Sequence, residues 1–355
     1  MLSRCLSKSL RVRGIRGLPK VADNYDLIYT AKLPPFDSFH PLPTRALSTT
    51  LTTKMSSSST QPPEQPKKKD HWSSESYASS AAFVPKLTST VLSYLNPTPS
   101  STILDIGCGD GLLTTQIARS AHSVLGIDAS ESFIASANQR LQTSSSSEEE
   151  GKALQGKCTF SLCDANSLLS SPSVQEQVEK HGGFDKVFSN AAMHWILRHP
   201  STRDPFFTSI HRVLKSGGTF TFEMGGAGNV AEILTATTAA LRSIGGLSLF
   251  EAREASPWFF PSVAWMRACL ERNGFVVEIC ETEYRPSRMT ETEKGGLEGW
   301  VRLMCAEFLE RVEDEGKKEE CVRAICENVE GSVWREEDGS RWLGYVRLRA
   351  VARKK

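Results

Sequence analysis

The chain has 355 residues, of which 39% are hydrophobic and 23% are charged, and its formal net charge is +1. This composition is ordinary for a soluble globular protein, and the length allows one large domain with additions. The near-neutral charge argues against a protein built mainly to hold nucleic acid or a membrane surface. No apolar run approaches about eighteen residues, so we expect no membrane span.

The nine cysteines and seven histidines are scattered along the chain, and no two cysteines form a C-x-x-C pair. The N-terminal residues lack the long apolar stretch of a secretory signal. We therefore interpret the cysteines as reduced and mostly buried thiols in a reducing compartment. None of the spacings matches a zinc site, so we expect no metal.

The first part of the chain is basic. Residues 1–54 carry nine lysines or arginines and three acids, a net charge of +6. Residues 1–22 contain six basic residues and no acid, which is typical of a mitochondrial presequence and also of a basic tail without a targeting role. The Ser-, Pro- and Lys-rich run from Met55 to Lys69 predicts a linker, so residues 1–70 are expected to be disordered.

Met55 is a second candidate start, which would produce a cytoplasmic form. We expect a cytoplasmic protein, with the mitochondrial matrix as the alternative location. Mass spectrometry of the native N-terminus distinguishes the two. A mature end between residues 20 and 54 indicates import, and a peptide that starts at residue 55 or 56 indicates the shorter form.

Residues 71–355 are predicted to form one α/β domain, because short apolar runs alternate there with helical patterns. The predicted strands are residues 102–106, 124–127, 158–163, 184–189, 219–224, 275–283 and 343–352. The predicted helices include residues 111–121, 131–141, 228–244, 296–313 and 317–332. Strand and helix in alternation favour crossover units, and hence a Rossmann-like, doubly wound and mainly parallel sheet of seven strands.

Three further features refine this expected fold. The last strand alternates apolar residues with Arg347 and Arg349, which suits a less covered, antiparallel strand at the edge of the sheet. The helices at 296–313 and 317–332 are expected to form an insertion, either packed on the sheet or placed as a lid over a substrate. Residues 144–150 are a Ser/Glu run, expected to be a solvated loop.

The sequence Asp105-Ile106-Gly107-Cys108-Gly109-Asp110-Gly111 follows the first strand and opens a helix. Glycines at such a turn allow the backbone to come close to a ligand. The fingerprint for NAD requires a third glycine at position 112, where this chain has leucine. Asp105 would also repel a pyrophosphate, whereas it would attract a ligand that carries an ammonium and a sulfonium group.

Polar residues also follow the next three strands. Asp128, with Ala129 after it, is placed to accept the hydroxyls of a ribose. Asp164, with Ala165 after it, is placed to accept an amino hydrogen of adenine. Asn190 ends the fourth strand. Ligands of such sheets lie beyond the carboxyl ends of the strands, so these residues and the glycine turn are expected to converge on one crevice.

Taken together, these motifs resemble those of the class I S-adenosylmethionine-dependent methyltransferases. Over residues 72–352 the chain has the successive motifs of that family in the same order. They are D-x-G-x-G-x-G after the first strand, an acid after the second, D-A after the third and S-N-A-x-x-H-W after the fourth. Lys215-Ser216-Gly217-Gly218 resembles the later L-x-P-G-G turn, with Ser216 in place of the usual proline. The resemblance implies that S-adenosyl-L-methionine is the cofactor, held by the residues above. Tyr77, before the first strand, is a candidate to cap the cofactor, and packing in the core is the alternative role.

Within the family, the segments 190–195 and 299–302 resemble the trans-aconitate and malonyl-carrier-protein methyltransferases. This resemblance implies O-methylation of a carboxylate on a small molecule, without nucleic acid as a partner. Two alternatives remain: a mitochondrial assembly factor or protein-directed member of the same fold, and an NAD-binding oxidoreductase. The methyl acceptor and the oligomeric state stay open.

Six residues are candidates for the acceptor side of the site. His194 is a candidate general base, although an ionised carboxylate needs no base and His194 would then only bind backbone or substrate. Trp195 and Trp300 are candidate pocket walls. Arg302 is a candidate ligand for an acidic substrate because a guanidinium binds carboxylate in a bidentate fashion; Arg198 and Arg285 are further candidates.

Overall fold

The computed structural model describes residues 88–143, 148–290 and 295–355. The predicted tail at 1–70, the candidate cofactor residue Tyr77 and serines 144–147 lie outside these ranges. The strands are β1 (Thr102–Ile106), β2 (Ser123–Asp128), β3 (Cys158–Leu162), β4 (Phe184–Asn190), β5 (Leu214–Gly225), β6 (Phe275–Tyr284), β7 (Ser287–Arg288), β8 (Trp342–Leu343) and β9 (Val346–Lys354).

Helices connect these strands and cover both faces of the main sheet. They are α1 (Ser89–Leu95), α2 (Leu112–Ser120), α3 (Glu131–Thr143), α4 (Glu148–Gln155), α5 (Pro172–His181), α6 (Met193–Ile196), α7 (Pro200–Val213), α8 (Ala231–Ser243), α9 (Leu249–Glu254), α10 (Val263–Arg272), α11 (Gly296–Met304), α12 (Ala306–Leu309) and α13 (Glu315–Val333). A 3₁₀ helix spans Ala165–Ser170. Part of the loop expected at residues 144–150 is helical, because Glu148 to Glu150 are the first residues of α4.

The main sheet has seven strands in the order β3-β2-β1-β4-β5-β9-β6. β1 to β5 pair in parallel, and β9 runs antiparallel to both of its neighbours. The strand order reverses between β1 and β4, which is the point where ligands bind in such sheets. The predicted Rossmann-like α/β fold is therefore confirmed, as is its antiparallel strand.

The position of that antiparallel strand differs from the expected edge. β9 lies one place inside the sheet, between β5 and β6, and β6 forms the edge. The alternation of Arg347 and Arg349 with apolar residues predicts a half-exposed strand, but in the structure each arginine is only 4% exposed. Both side chains are buried because Glu223 of β5 supplies a buried negative charge opposite them.

Three apolar clusters hold the domain together. One lies under α7 and α10 on one face of the sheet, and another lies under α1 and α2 on the other face. The third joins α8 to the insertion formed by α11, α12 and α13, with Trp300 and Phe308 buried in it. The predicted insertion thus packs on α8, beyond the carboxyl end of the sheet, where it supplies residues to the site described below. No helix among the described residues is long and apolar enough to cross a membrane.

Candidate functional site

The glycine turn after β1 has the backbone shape that its sequence predicts. Gly107 and Gly109 have φ of 71° and 54°, values that side chains rarely allow. A Cβ on Gly107 would lie 2.2 Å from the Cβ of Ala192, so this glycine permits close packing. A Cβ on Gly109 would meet no atom within 4 Å. Gly109 therefore faces open space in which a ligand can approach the backbone, whereas Gly111 is buried against Phe160.

Asp105 lies beneath this turn. Its side chain is 2% exposed and accepts a hydrogen bond from the Thr114 hydroxyl of α2 at 2.6 Å. Burial raises the pKa of Asp105 from 3.8 to about 7, although the Thr114 hydrogen bond opposes that rise and the charge of Asp128 adds to it. The carboxylate that we expect to attract a cationic ligand thus carries its full charge only above neutral pH.

Asp128 ends β2 beside the glycine turn. One carboxylate oxygen accepts the backbone N–H of Gly109 at 3.0 Å, and the other accepts that of Ser130 at 2.9 Å. Asp128 is half-buried and Ala129 is exposed, so the side chain is fixed to the turn and still accessible at the crevice. This arrangement suits an acid that binds the hydroxyls of a ribose.

Asp164 and Ala165 follow β3 as predicted. Asp164 is exposed and caps the 3₁₀ helix by accepting the backbone N–H of Asn166 at 2.9 Å, and Ala165 is buried below it. Asp164 is therefore held at the carboxyl end of the sheet, and its carboxylate can accept further hydrogen bonds from a ligand.

Asn190 ends β4 and supplies the strongest sign of a ligand. Its Oδ1 atom is buried and has no hydrogen-bond partner among the described residues. A buried acceptor without a partner costs about 1–3 kcal/mol, so such atoms in folded proteins commonly have a ligand or a water as partner. The ammonium group of S-adenosylmethionine is a donor of the required kind, and the open face of Gly109 leaves room for a ligand. The residues at the four strand ends therefore fit this cofactor.

A cavity opens next to Asn190, between the end of the sheet and the helical insertion. It contains about 460 Å³ of space without protein atoms, part of it open to solvent. Its walls are mostly aromatic: His194, Trp195, Trp258, Phe260, Trp300 and Tyr345. Ala191 and Val230, two residues with the unusual positive φ of 58° and 43°, also line it. Strained backbone of this kind concentrates at functional sites.

His194 lies in the wall of this cavity and is only 8% exposed. Its Nδ1 faces the backbone N–H of Gly225 at 3.5 Å, and its ring lies 5.6 Å from that of Phe260. Burial, together with a smaller contribution from the nearby charge of Arg347, lowers the pKa of His194 to about 3. His194 is thus neutral at pH 7 and a weak base.

The predicted pocket walls and the predicted arginines have different outcomes. Trp195 and Trp300 both line the cavity, and the Trp300 indole donates to the Tyr345 hydroxyl at 3.0 Å. Arg302 is exposed on α11 and binds Glu298 and Glu319 at the surface, so it does not line the cavity. Helical spacing explains this difference, because positions 300 and 302 point to different sides of one helix.

The guanidinium that does line the cavity belongs to Arg347. Sequence reasoning placed this residue on an exposed strand face and so missed it. Arg347 lies 4.5 Å above the Tyr345 ring, and its Nε is 3.9 Å from Glu223. Glu223 also binds Arg285 at 2.7 Å and Arg349 at 2.6 Å. One buried carboxylate is therefore shared by three arginines, and Arg349 also binds Glu281 and Glu283. Arg198, the other candidate, binds Glu307.

Comparisons with known proteins identify methyltransferases as relatives of this chain. A family model described as a methyltransferase domain matches residues 97–249. An uncharacterised methyltransferase from Schizosaccharomyces pombe is 32% identical over 286 residues, which are 81% of this chain and 99% of that protein.

Two relatives with named substrates are similar over shorter stretches. An 18S rRNA (guanine-N(7))-methyltransferase from S. pombe is 31% identical over 38% of this chain and 44% of its own length. A trans-aconitate 2-methyltransferase from Deinococcus radiodurans is 28% identical over 46% of this chain and 55% of its own length. Since one of these proteins is named for an rRNA, the comparisons do not support our expectation that nucleic acid is excluded as a partner.

The strand order, the ligand-accessible glycine turn and the match to a full-length relative lead to one conclusion. The chain belongs to the class I S-adenosylmethionine-dependent methyltransferases, and S-adenosyl-L-methionine is its cofactor.

Proposed function

We propose that this enzyme transfers a methyl group to a carboxylate oxygen of a small organic acid. The observation that carries the proposal is the position of Arg347, whose buried guanidinium lines a mostly aromatic cavity next to the cofactor residues. Arginine binds carboxylates through paired, charge-assisted hydrogen bonds, which are stronger inside a protein than in water.

The cavity also favours an acceptor that is already ionised. Bound S-adenosylmethionine supplies an electrophilic methyl group on its sulfonium. A carboxylate can attack that carbon without losing a proton, whereas a hydroxyl or amine benefits from a base. With a pKa of about 3, His194 is a weak base for that purpose. The chain's contribution is then to orient the acid in line with the methyl group and to exclude water.

The charge around the cavity is consistent with this role. Glu223 is shared by three arginines, and Arg349 also binds Glu281 and Glu283, each of which is 45% exposed. The charge of Arg347 is one cause of the lowered pKa of His194, so the electrostatic field of this guanidinium reaches the cavity wall. An anion entering the cavity would be attracted to this guanidinium. The name of the D. radiodurans relative, a trans-aconitate 2-methyltransferase, supports an acidic acceptor of this kind.

The test is transfer of a radiolabelled methyl group into a panel of di- and tricarboxylic acids, with base-labile product as the mark of an ester. Arg347→Gln should raise the KM for an acid by about 10- to 100-fold, the effect of losing a charged hydrogen bond. The matched control is Arg302→Gln, which removes an exposed arginine that binds only surface glutamates and should leave KM within about twofold.

S-Adenosylhomocysteine binding to both variants checks that each remains folded. Transfer to no acid in the panel, or equal KM values for the two variants, would refute the proposal. Label that enters 18S rRNA in place of acids would assign the acceptor to nucleic acid, as the S. pombe relative's name suggests.

A further inference from the structure

The indole of Trp258 is an unusual feature of the cavity. Trp258 follows α9 in a segment that is fixed at two points. Its backbone N–H donates to the Ser256 hydroxyl at 3.3 Å, and the backbone N–H of the next residue, Phe259, donates to the backbone carbonyl of His194 at 2.9 Å. Its ring packs against those of Trp195, Phe260, Trp300 and Phe308 at centroid distances of 5.3–6.4 Å. The side chain is therefore held in one orientation.

The Nε1–H of this fixed indole has no hydrogen-bond partner among the described residues, and the atom is buried. Two other indoles nearby in the fold are satisfied: Trp300 donates to Tyr345 at 3.0 Å, and Trp342 donates to Ser340 at 2.7 Å. Buried tryptophan N–H groups usually find a partner, because leaving one unpaired is costly. Since Trp258 lines the cavity, a ligand oxygen can serve as that partner.

We propose that Trp258 is a specificity-determining residue whose Nε1–H donates to an oxygen of the methyl acceptor. The inference rests on the proposed function, in which the cavity binds an organic acid and Arg347 binds one of its carboxylates. The Arg347 guanidinium and the Trp258 indole together favour an acid with oxygens on two groups over an acid with a single carboxylate. The aromatic walls and Met304 then contact the hydrocarbon part of the acceptor.

The experiment measures binding without turnover, so that it does not depend on methyl transfer. The full-length protein is labelled with ¹⁵N at its tryptophan indoles, saturated with S-adenosylhomocysteine, and titrated with tricarballylate, a tricarboxylic acid, or with pentanoate, a monocarboxylic acid. The Trp258 resonance is identified by its loss in Trp258→Phe, which removes the N–H and keeps an aromatic ring. We expect tricarballylate to move this resonance downfield and pentanoate to leave it in place.

Affinity provides the second readout. Trp258→Phe should weaken tricarballylate by about 3- to 10-fold, as expected for one lost neutral hydrogen bond, and should leave pentanoate unchanged. The control is Trp300→Phe, whose N–H is already bonded within the protein; it should change both affinities by the same factor. A loss that is equal for both acids in Trp258→Phe would show a packing role only.

The outcomes separate the two proposals. Tricarballylate that binds without moving the Trp258 resonance, or binds equally well to Trp258→Phe, overturns the inference about Trp258 while the proposed function stands. A resonance that moves in a protein that methylates no acid shows that Trp258 binds an acid oxygen, but it refutes the proposed function and with it the assignment of that acid as the methyl acceptor. Absence of tricarballylate binding overturns the inference directly, because Trp258 then has no acid to select.

Discussion

Replacing Asp105 with asparagine tests whether the buried acid below the glycine turn lowers the free energy of unfolding while it strengthens cofactor binding. Asparagine has the same shape and can still accept the Thr114 hydroxyl, so the change removes mainly the charge. Asp105 is 2% exposed, and burial raises its pKa from 3.8 to about 7. The folded state therefore keeps a proton on Asp105 at pH values where the unfolded state has released it.

The sign of the effect follows from that difference in pKa. The free energy of unfolding of the wild type should fall as the pH rises from about 4 to 7, and it should level off above 7. Three pH units at 1.36 kcal/mol each give a cost of at most about 4 kcal/mol. Asp105→Asn lacks this term, so it should match the wild type near pH 4 and exceed its stability at pH 8 by up to that amount.

Urea unfolding of both proteins without cofactor, at pH 4, 6 and 8, measures this difference. The control is Asp110→Asn in the same turn, where the acid is about one-third exposed and binds Arg140. That variant should change the free energy of unfolding by less than about 1 kcal/mol at pH 8. If Asp105→Asn is no more stable than the wild type at pH 8, or if the gap is the same at pH 4, the reasoning fails.

Cofactor binding should change in the opposite direction. Only the ionised carboxylate attracts the cationic groups of S-adenosylmethionine, so the wild type should bind it less tightly as the pH falls below 7, by up to about tenfold per pH unit. Asp105→Asn should bind it weakly at both pH 8 and pH 6. Calorimetric titration at the two pH values measures both effects, and equal affinities of the two proteins at pH 8 would contradict the assigned role.

Three further changes test the site and its support. Glu223→Gln should destabilise the domain by about 3–5 kcal/mol in urea unfolding, because it leaves buried arginines without their shared carboxylate. Glu283→Gln removes an acid that is 45% exposed, so it should cost less than about 1 kcal/mol. Equal losses of stability in the two variants would refute the role of burial. Gly107→Ala should lower Tm and abolish cofactor binding, since its Cβ would lie 2.2 Å from Ala192. Gly109→Ala should remain folded but lose at least about tenfold in cofactor affinity, because the new methyl group enters the open side of the turn. If this variant binds the cofactor as tightly as the wild type, the cofactor lies elsewhere.

The cofactor half of the site could be predicted from sequence because its signals are local. A buried strand, a glycine turn and an acid follow one another within a few residues, and each has its own physical requirement. The positive φ of Gly107 and Gly109 and the position of Asp128 beside the turn agree with those requirements. Parallel strands then bring Asp164 and Asn190 to the same edge of the sheet, as the alternation of strands and helices predicts.

The acceptor half could not be predicted in the same way. Its cavity is assembled from residues far apart in the chain, such as His194, Trp258, Trp300 and Arg347. No spacing rule relates them, because the contacts depend on how the insertion packs on α8. The exposed Arg302 and the buried Arg347 look alike in sequence, and only burial distinguishes them.

By itself, then, the sequence determined the fold, the cofactor and the strand-end residues expected to hold it, because those depend on backbone shape and on the order of elements. Only the tertiary structure decided that β9 lies inside the sheet, that Glu223 neutralises part of its charge, and that Arg347 and Trp258 face the same cavity. The physical reason is that a side chain's environment is set by its neighbours in space, and for these residues the neighbours come from distant parts of the chain.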